Sequence, residues 1–109
     1  MRNQAIAQIF ADIADLLEIR GEQPFRISAY RRAGRVLGDL AEDVADLLAA
    51  GKLADLPGIG KGSIAKIEEY LADGAISFQA ELLESTPPGL PALLKIPGLG
   101  PKRVALAWK

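Results

Sequence analysis

Two five-residue loops carry the chemistry most directly readable from this chain. Leu56-Pro57-Gly58-Ile59-Gly60 is answered forty positions later by Ile96-Pro97-Gly98-Leu99-Gly100. Both follow the pattern apolar-Pro-Gly-apolar-Gly. A helix-forming stretch comes after each, Lys61 to Asp73 and Pro101 to Trp108. Glycine tolerates positive φ and has no side chain to block a close neighbour. Two glycines around one apolar residue make a tight turn, anchored in a core through Ile59 or Leu99. Such a turn delivers the chain to a helix N-terminus, whose unpaired N–H groups carry partial positive charge. Lys61 flanks the first loop, and Lys102 and Arg103 flank the second. Glycine turn, helix N-terminus and cation together form an anion site suited to phosphate.

The doubled pattern reads as two helix-hairpin-helix motifs, which grip a nucleic-acid backbone without reading bases. Formal net charge is only −1, but the charges are segregated. Arg20, Arg26, Arg31, Arg32 and Arg35 lie close together against Glu22 alone, while acids dominate from Asp39 to Asp46. A basic face with an acidic back still attracts phosphate, because local charge counts within a Debye length of about 8 Å. The weak overall charge predicts modest affinity and steep salt dependence. A solvated helix face has the same look, and both readings of the arginine run stand. Cysteine and histidine are absent. That excludes disulfides, thiolate metal sites, the usual zinc ligands and the commonest general base. No apolar run approaches the roughly 20 residues of a membrane span. Asp12, Asp15 and Glu18 interrupt the first apolar positions, so no secretory pattern is present. The expected location is cytoplasmic, with no membrane partner.

The elements that must position these loops are helical. Ile6, Ile9, Phe10, Ile13, Leu16 and Leu17 recur at helical spacing, with Asn3 as the expected cap and Gly21 as the end. Gln23-Pro24 predicts a loop, and a second helix follows from about Arg26 to Leu37. Asp39 is expected to cap a third helix through Val44, Leu47 and Leu48, closed by Gly51. A fourth packs Ile64, Ile67 and Leu71 inward and ends at Gly74. Ser77 opens a fifth with Phe78, Leu82 and Leu83. Thr86-Pro87-Pro88-Gly89 is a break, and a short sixth helix with Leu90, Leu93 and Leu94 leads into the second hairpin. No segment alternates like a strand. The expected fold is all-α, a small helical bundle. Residues 1–76 are expected to form one unit with the first hairpin and 77–109 to carry the second, with the Pro87-Pro88 break as the alternative boundary. The last helix has little against which to pack Val104, Leu106 and Trp108, so the chain reads as the front piece of a longer protein.

Three motifs occur together in order and spacing: Phe25-Arg26-Ile27-Ser28-Ala29-Tyr30-Arg31-Arg32-Ala33, Leu56 to Ile67, and Ile96 to Pro101. In this the chain resembles the N-terminal region of bacterial family X DNA polymerases, over nearly its whole length. The resemblance implies a SAM-like helical domain that binds the 5′-phosphate of gapped DNA, with the rest of a polymerase chain in cis. Arg26 and Tyr30 match the family's phosphate-side residues, and Phe25 stands where a histidine stacks on DNA. The DNA-facing set is then Arg26, Tyr30, Arg31, Gly58, Gly60, Lys61, Lys66, Gly98, Gly100, Lys102 and Arg103. The resemblance also implies a monovalent cation, Na+ or K+, on the main-chain carbonyls of Ala54, Leu56 and Ile59, and of Leu94, Ile96 and Leu99. Binding itself requires no cofactor; Mg2+ belongs to a polymerase domain that this chain lacks.

Some family members cleave an abasic sugar phosphate through a lysine Schiff base, and Lys66 matches that lysine. The attack needs a neutral amine. Gly62, Ala65 and Phe78 replace ionisable residues of the lyase pattern, and Glu69 sits one turn from Lys66. These changes favour the ammonium, so the resemblance predicts weak or absent lyase activity. Four functions therefore compete. They are the DNA-binding region of a polymerase, a deoxyribose-phosphate lyase, a free-standing tandem hairpin module, and a helical protein-interaction domain.

Overall fold

The computed structural model describes residues 2–85 and Gly100. Five α-helices follow in order: α1 Asn3–Ile19, α2 Pro24–Asp39, α3 Val44–Ala49, α4 Lys61–Asp73 and α5 Ser77–Ser85. A 3-10 turn, Leu53–Asp55, separates α3 from the hairpin. No strand occurs among the described residues.

Helix α1 forms the centre. Its stripe of Ile6, Phe10, Ile13, Leu16 and Leu17 is buried. Ala33 and Leu37 from α2, Val44 and Leu47 from α3, Ile67 from α4 and Leu82 from α5 share its core. Phe10 is wholly buried, and truncating it to alanine would cost about 3–5 kcal/mol. Gly34 lets α2 approach α1 closely, because a Cβ there would meet the Ala7 carbonyl oxygen at 3.2 Å and Phe10 Cβ at 3.3 Å. Helix α5, which the sequence assigns to a second unit, contributes Leu82 and Phe78 to this same cluster.

Helix ends account for three departures from the sequence reading. Asn3 does not cap its own helix; it is the first residue of α1 and is buried. Its Oδ1 accepts the Val44 N–H at 2.9 Å, and its Nδ2 donates to the Glu42 carbonyl at 2.7 Å. The side chain thus serves the start of α3. Pro24 does not make a loop but opens α2, where its missing N–H costs nothing and its fixed φ suits a helix. Asp39 does not cap α3 either; it is the last residue of α2. Asp43 takes that role, its Oδ1 accepting the Ala45 N–H at 2.9 Å. Gly21 and Gly51 end α1 and α3 with φ of 76° and 70°. After each, paired backbone bonds close the end in a Schellman arrangement.

Candidate nucleic-acid interface

The hairpin grows out of five residues. Pro57 confines Leu56 to extended backbone, and Leu56 has φ −80° and ψ 127°. Gly58 then turns the chain at φ 89°. The Ile59 N–H donates to the Leu56 carbonyl at 3.2 Å and closes the turn. Ile59 is buried and anchors the loop in the core. Gly60 ends it as the N-cap of α4, with φ −102° and ψ −177°. Only Gly58 therefore uses the left-handed region. No side chain caps α4, so the early N–H groups of its first turn have no intrahelical or side-chain acceptor.

An open groove of about 300 Å³ lies against this helix end. Arg26, Ala29 and Tyr30 of α2 form one wall; Gly58, Gly60, Gly62 and Ser63 form the other. Lys61, the first residue of α4, is exposed beside it. Lys66 is half-buried one turn further on, its Nζ 5.6 Å from the Tyr30 ring centroid and 5.2 Å from that of Phe78. The Arg26 guanidinium carbon is 5.5 Å from the Phe78 centroid. Tyr30 and Phe78 stack at 6.0 Å and 28°. Tyr30 also meets the buried Phe10, at 5.9 Å between centroids. Arg26, Tyr30, Gly58 and Gly60 thus line one groove with Lys61 next in sequence, while Lys66 lies further along α4 against the Tyr30 and Phe78 rings.

The arginine run is divided among several tasks. Arg31 is committed to α1, donating to Asp15 at 2.9 Å and to Glu18 at 2.8 Å. Burial lowers the affinity of its guanidinium for a proton, but the hydrogen bonds and charges of Asp15 and Glu18 outweigh this and raise its pKa. Burial pushes the Asp15 carboxyl above its ordinary value against the pull of Arg31. Arg20 sits at the end of α5, donating to the Ser85 carbonyl at 3.2 Å and to Ser85 Oγ at 2.8 Å. There a cation meets the negative end of the helix dipole. Arg26 pairs with Glu22 at 3.4 Å. Arg32 lies across the hairpin, and a Cβ on Gly58 would meet its Cγ at 3.1 Å and its Nε at 3.2 Å. A sequence cannot tell Arg31 from Arg32 by type; a helical turn of about 100° per residue sends one toward the acids of α1 and the other over the turn.

Glu69, expected to act on Lys66, directs its carboxylate to the Ser77 N–H at 3.1 Å. Its pKa is lowered, first by hydrogen bonding to Ser77 and least by the charge of Lys66. Among the implied cation ligands, Ala54 lies in the 3-10 turn, and Leu56 and Ile59 lie in the hairpin. The Leu56 carbonyl already accepts one N–H and keeps a second lone pair. No cluster of His, Cys, Asp or Glu fit for a metal occurs among the described residues. No described helix is long and apolar enough to cross a membrane. Gly100 is exposed. Gly98, Lys102, Arg103, Leu94, Ile96 and Leu99 lie outside the described residues, as does the rest of the second hairpin. Arg32 meets the turn at Gly58, and Phe78, which the resemblance gives as a replaced lysine of the lyase pattern, lies as a ring beside Arg26 and Lys66.

Two comparisons with known proteins bear on this arrangement. A family described as a helix-hairpin-helix domain matches residues 1–76. Over all 109 residues the sequence is 37% identical to the DNA polymerase/3'-5' exonuclease PolX of Bacillus subtilis (strain 168). The matching stretch is the N-terminal part of that relative, and the chain spans 19% of its length.

Proposed function

Because the chain belongs to the helix-hairpin-helix domain family, we propose that it binds DNA through backbone phosphates, without reading bases. One observation carries this reading: the N-terminus of α4. It has a glycine N-cap and no capping side chain; Lys61 is its first residue, Arg26 lies in the facing wall of the groove, and Lys66 follows further along the helix beside Tyr30. Gly60 strengthens the argument. Its φ is negative, and a Cβ there would meet nothing within 4 Å. Among the described residues no neighbouring atom and no positive φ demands glycine there, beyond the mild preference for glycine at an N-cap, whereas a phosphate lying on the first turn of α4 would.

The likeness to the relative's N-terminal part supports a finer reading, in which the chain serves a family X polymerase by holding gapped or nicked DNA. In that reading Arg26, Tyr30, Lys61 and Lys66 take the 5′-phosphate at the gap, with Arg32 added from across Gly58. Arg31 keeps its place between the helices. Phe25, 72% exposed beside Arg26, offers a ring on which an unpaired base stacks. The carbonyls of Ala54, Leu56 and Ile59 would hold a Na+ or K+ ion, which would supply positive charge behind the turn. Lys102 and Arg103 belong to the corresponding proposal for the second hairpin. Polymerisation and its Mg2+ belong to chain beyond this region.

The test is equilibrium binding to gapped DNA, with and without the 5′-phosphate, over a salt series. Arg26→Ala and Lys66→Ala should each lower the slope of log affinity against log salt by about 0.7 to 0.9. They should do so only when the phosphate is present. A wild type indifferent to that phosphate would discard the gap reading.

A further inference from the structure

We propose that Phe78 is a positioning residue that sets Arg26, in the groove wall, and Lys66, further along α4, on a shared aromatic ring. The proposal rests on the phosphate reading of the groove and concerns a residue that phosphate would not touch. Both cationic groups lie within cation–π reach of the same ring, at 5.5 Å and 5.2 Å. The ring is itself fixed. It stacks on Tyr30, Tyr30 meets the fully buried Phe10, and Phe78 packs at the edge of the core.

Three chain segments meet at this point. Arg26 and Tyr30 come from α2, Lys66 from α4 and Phe78 from α5. No carboxylate makes an ion pair with Lys66 among the described residues, and the nearby Glu69 is held by the Ser77 N–H. Lys66 therefore takes its direction from rings. An aromatic face attracts an ammonium without cancelling its charge, so the cation remains available to an anion. A carboxylate in the same place would neutralise it. A lysine at position 78 would add a third positive charge but would repel the other two. Phe78 supplies order in place of charge: long, rotamer-rich side chains are settled before the ligand arrives, which lowers the entropy lost on binding.

Phe78→Leu keeps an apolar side chain and removes the ring face; Phe78→Tyr keeps the ring and serves as rescue. Two readouts are needed. The first uses the chain without DNA: proton NMR shifts of the Lys66 ε-methylene and the Arg26 δ-methylene. Ring current should move both upfield in wild type and in Phe78→Tyr, and both should return toward random-coil values in Phe78→Leu. The second is the ratio of affinities for gapped DNA with and without the 5′-phosphate. Phe78→Leu should cut that ratio by about fivefold or more, as expected when two rotamer-rich side chains must be ordered on binding, while Phe78→Tyr should hold the wild-type ratio. A dispersed amide spectrum in Phe78→Leu confirms that it folds. An unchanged phosphate ratio in Phe78→Leu overturns the positioning role and leaves the groove reading standing. Coil-like methylene shifts in wild type overturn it without reference to DNA. A wild type with no phosphate preference overturns the groove reading, and with it any part for Phe78 in phosphate selection.

Discussion

Gly58 and Gly60 sit two residues apart in one loop and are glycine for different reasons. Gly58 has φ 89° and the Arg32 side chain against it. A Cβ there is strained by backbone and neighbour together, so Gly58→Ala should lose roughly 1–2 kcal/mol from the backbone alone. Denaturant unfolding would measure it. Gly60 has extended backbone and open space. Gly60→Val should therefore lose only about 1 kcal/mol, the usual cost of a poorer N-cap, yet weaken DNA binding by more than that, since the valine occupies the approach to the first turn of α4. Equal binding by this variant would remove the argument drawn from Gly60. Glu69 carries a prediction in pH. Its pKa is lowered below 4.5 by the hydrogen bonds to Ser77. The stabilisation from this carboxylate is complete above the unfolded-state value and is lost as pH falls through the lower folded value. A carbon-13 titration of the Glu69 carboxyl should give a midpoint below that of an ordinary glutamate, and the Ser77 amide shift should follow it. Glu69→Gln should abolish that amide response.

Among the elements, α2 shows how far the sequence can be read. Helical spacing locates α4 at Lys61 to Asp73, because a glycine stands before it and Gly74 after it, and these signals are local. The start of α2 escapes the sequence because Pro24 looks the same in a loop and at the first turn of a helix. The start of α3 escapes it because Asp39 and Asp43 are equally good caps, and only packing against α1 decides between them. The groove is legible in its glycines and in Lys61, which adjoin in sequence. The approach of Arg32 to Gly58 and the stacking of Phe78 on Tyr30 are not, since folding alone brings those pairs together. Arg31 and Arg32 turn this into a paired prediction. Arg31→Ala removes two bonds to α1 and leaves Asp15 and Glu18 facing each other, so it should cost roughly 1 kcal/mol of stability. It should barely alter the salt slope of DNA binding. Arg32→Ala should do the reverse. Thermal unfolding and a salt series on the same two proteins would separate them.

For the whole molecule, the question is whether the phosphate groove is also a reaction centre. Lys66 Nζ lies 5.6 Å and 5.2 Å from two ring centroids, and attack on a sugar aldehyde would have to break both contacts. Schiff-base formation needs the amine. Borohydride trapping on an incised abasic site should accordingly give little or no covalent adduct with this chain. A strong adduct that disappears in Lys66→Ala would make this chain a lyase in its own right.

The Asn3 side chain has a consequence for how the molecule opens. It joins the first turn of α1 to Glu42 and Val44, distant in sequence, through one accepted and one donated bond. Helix ends ordinarily fray, and their amides exchange with solvent quickly. Here the Val44 amide is protected by a side chain from the start of the chain, so its deuterium uptake becomes a clock for the beginning of α1. If that first turn lifts away, Val44 exchanges; if it stays, Val44 waits for global unfolding. Asn3→Ala should speed Val44 exchange far more than that of Leu17 or Ile67 and destabilise the fold by about 1–3 kcal/mol through buried groups left unpaired. One amide would then report whether the starts of α1 and α3 come apart together or separately.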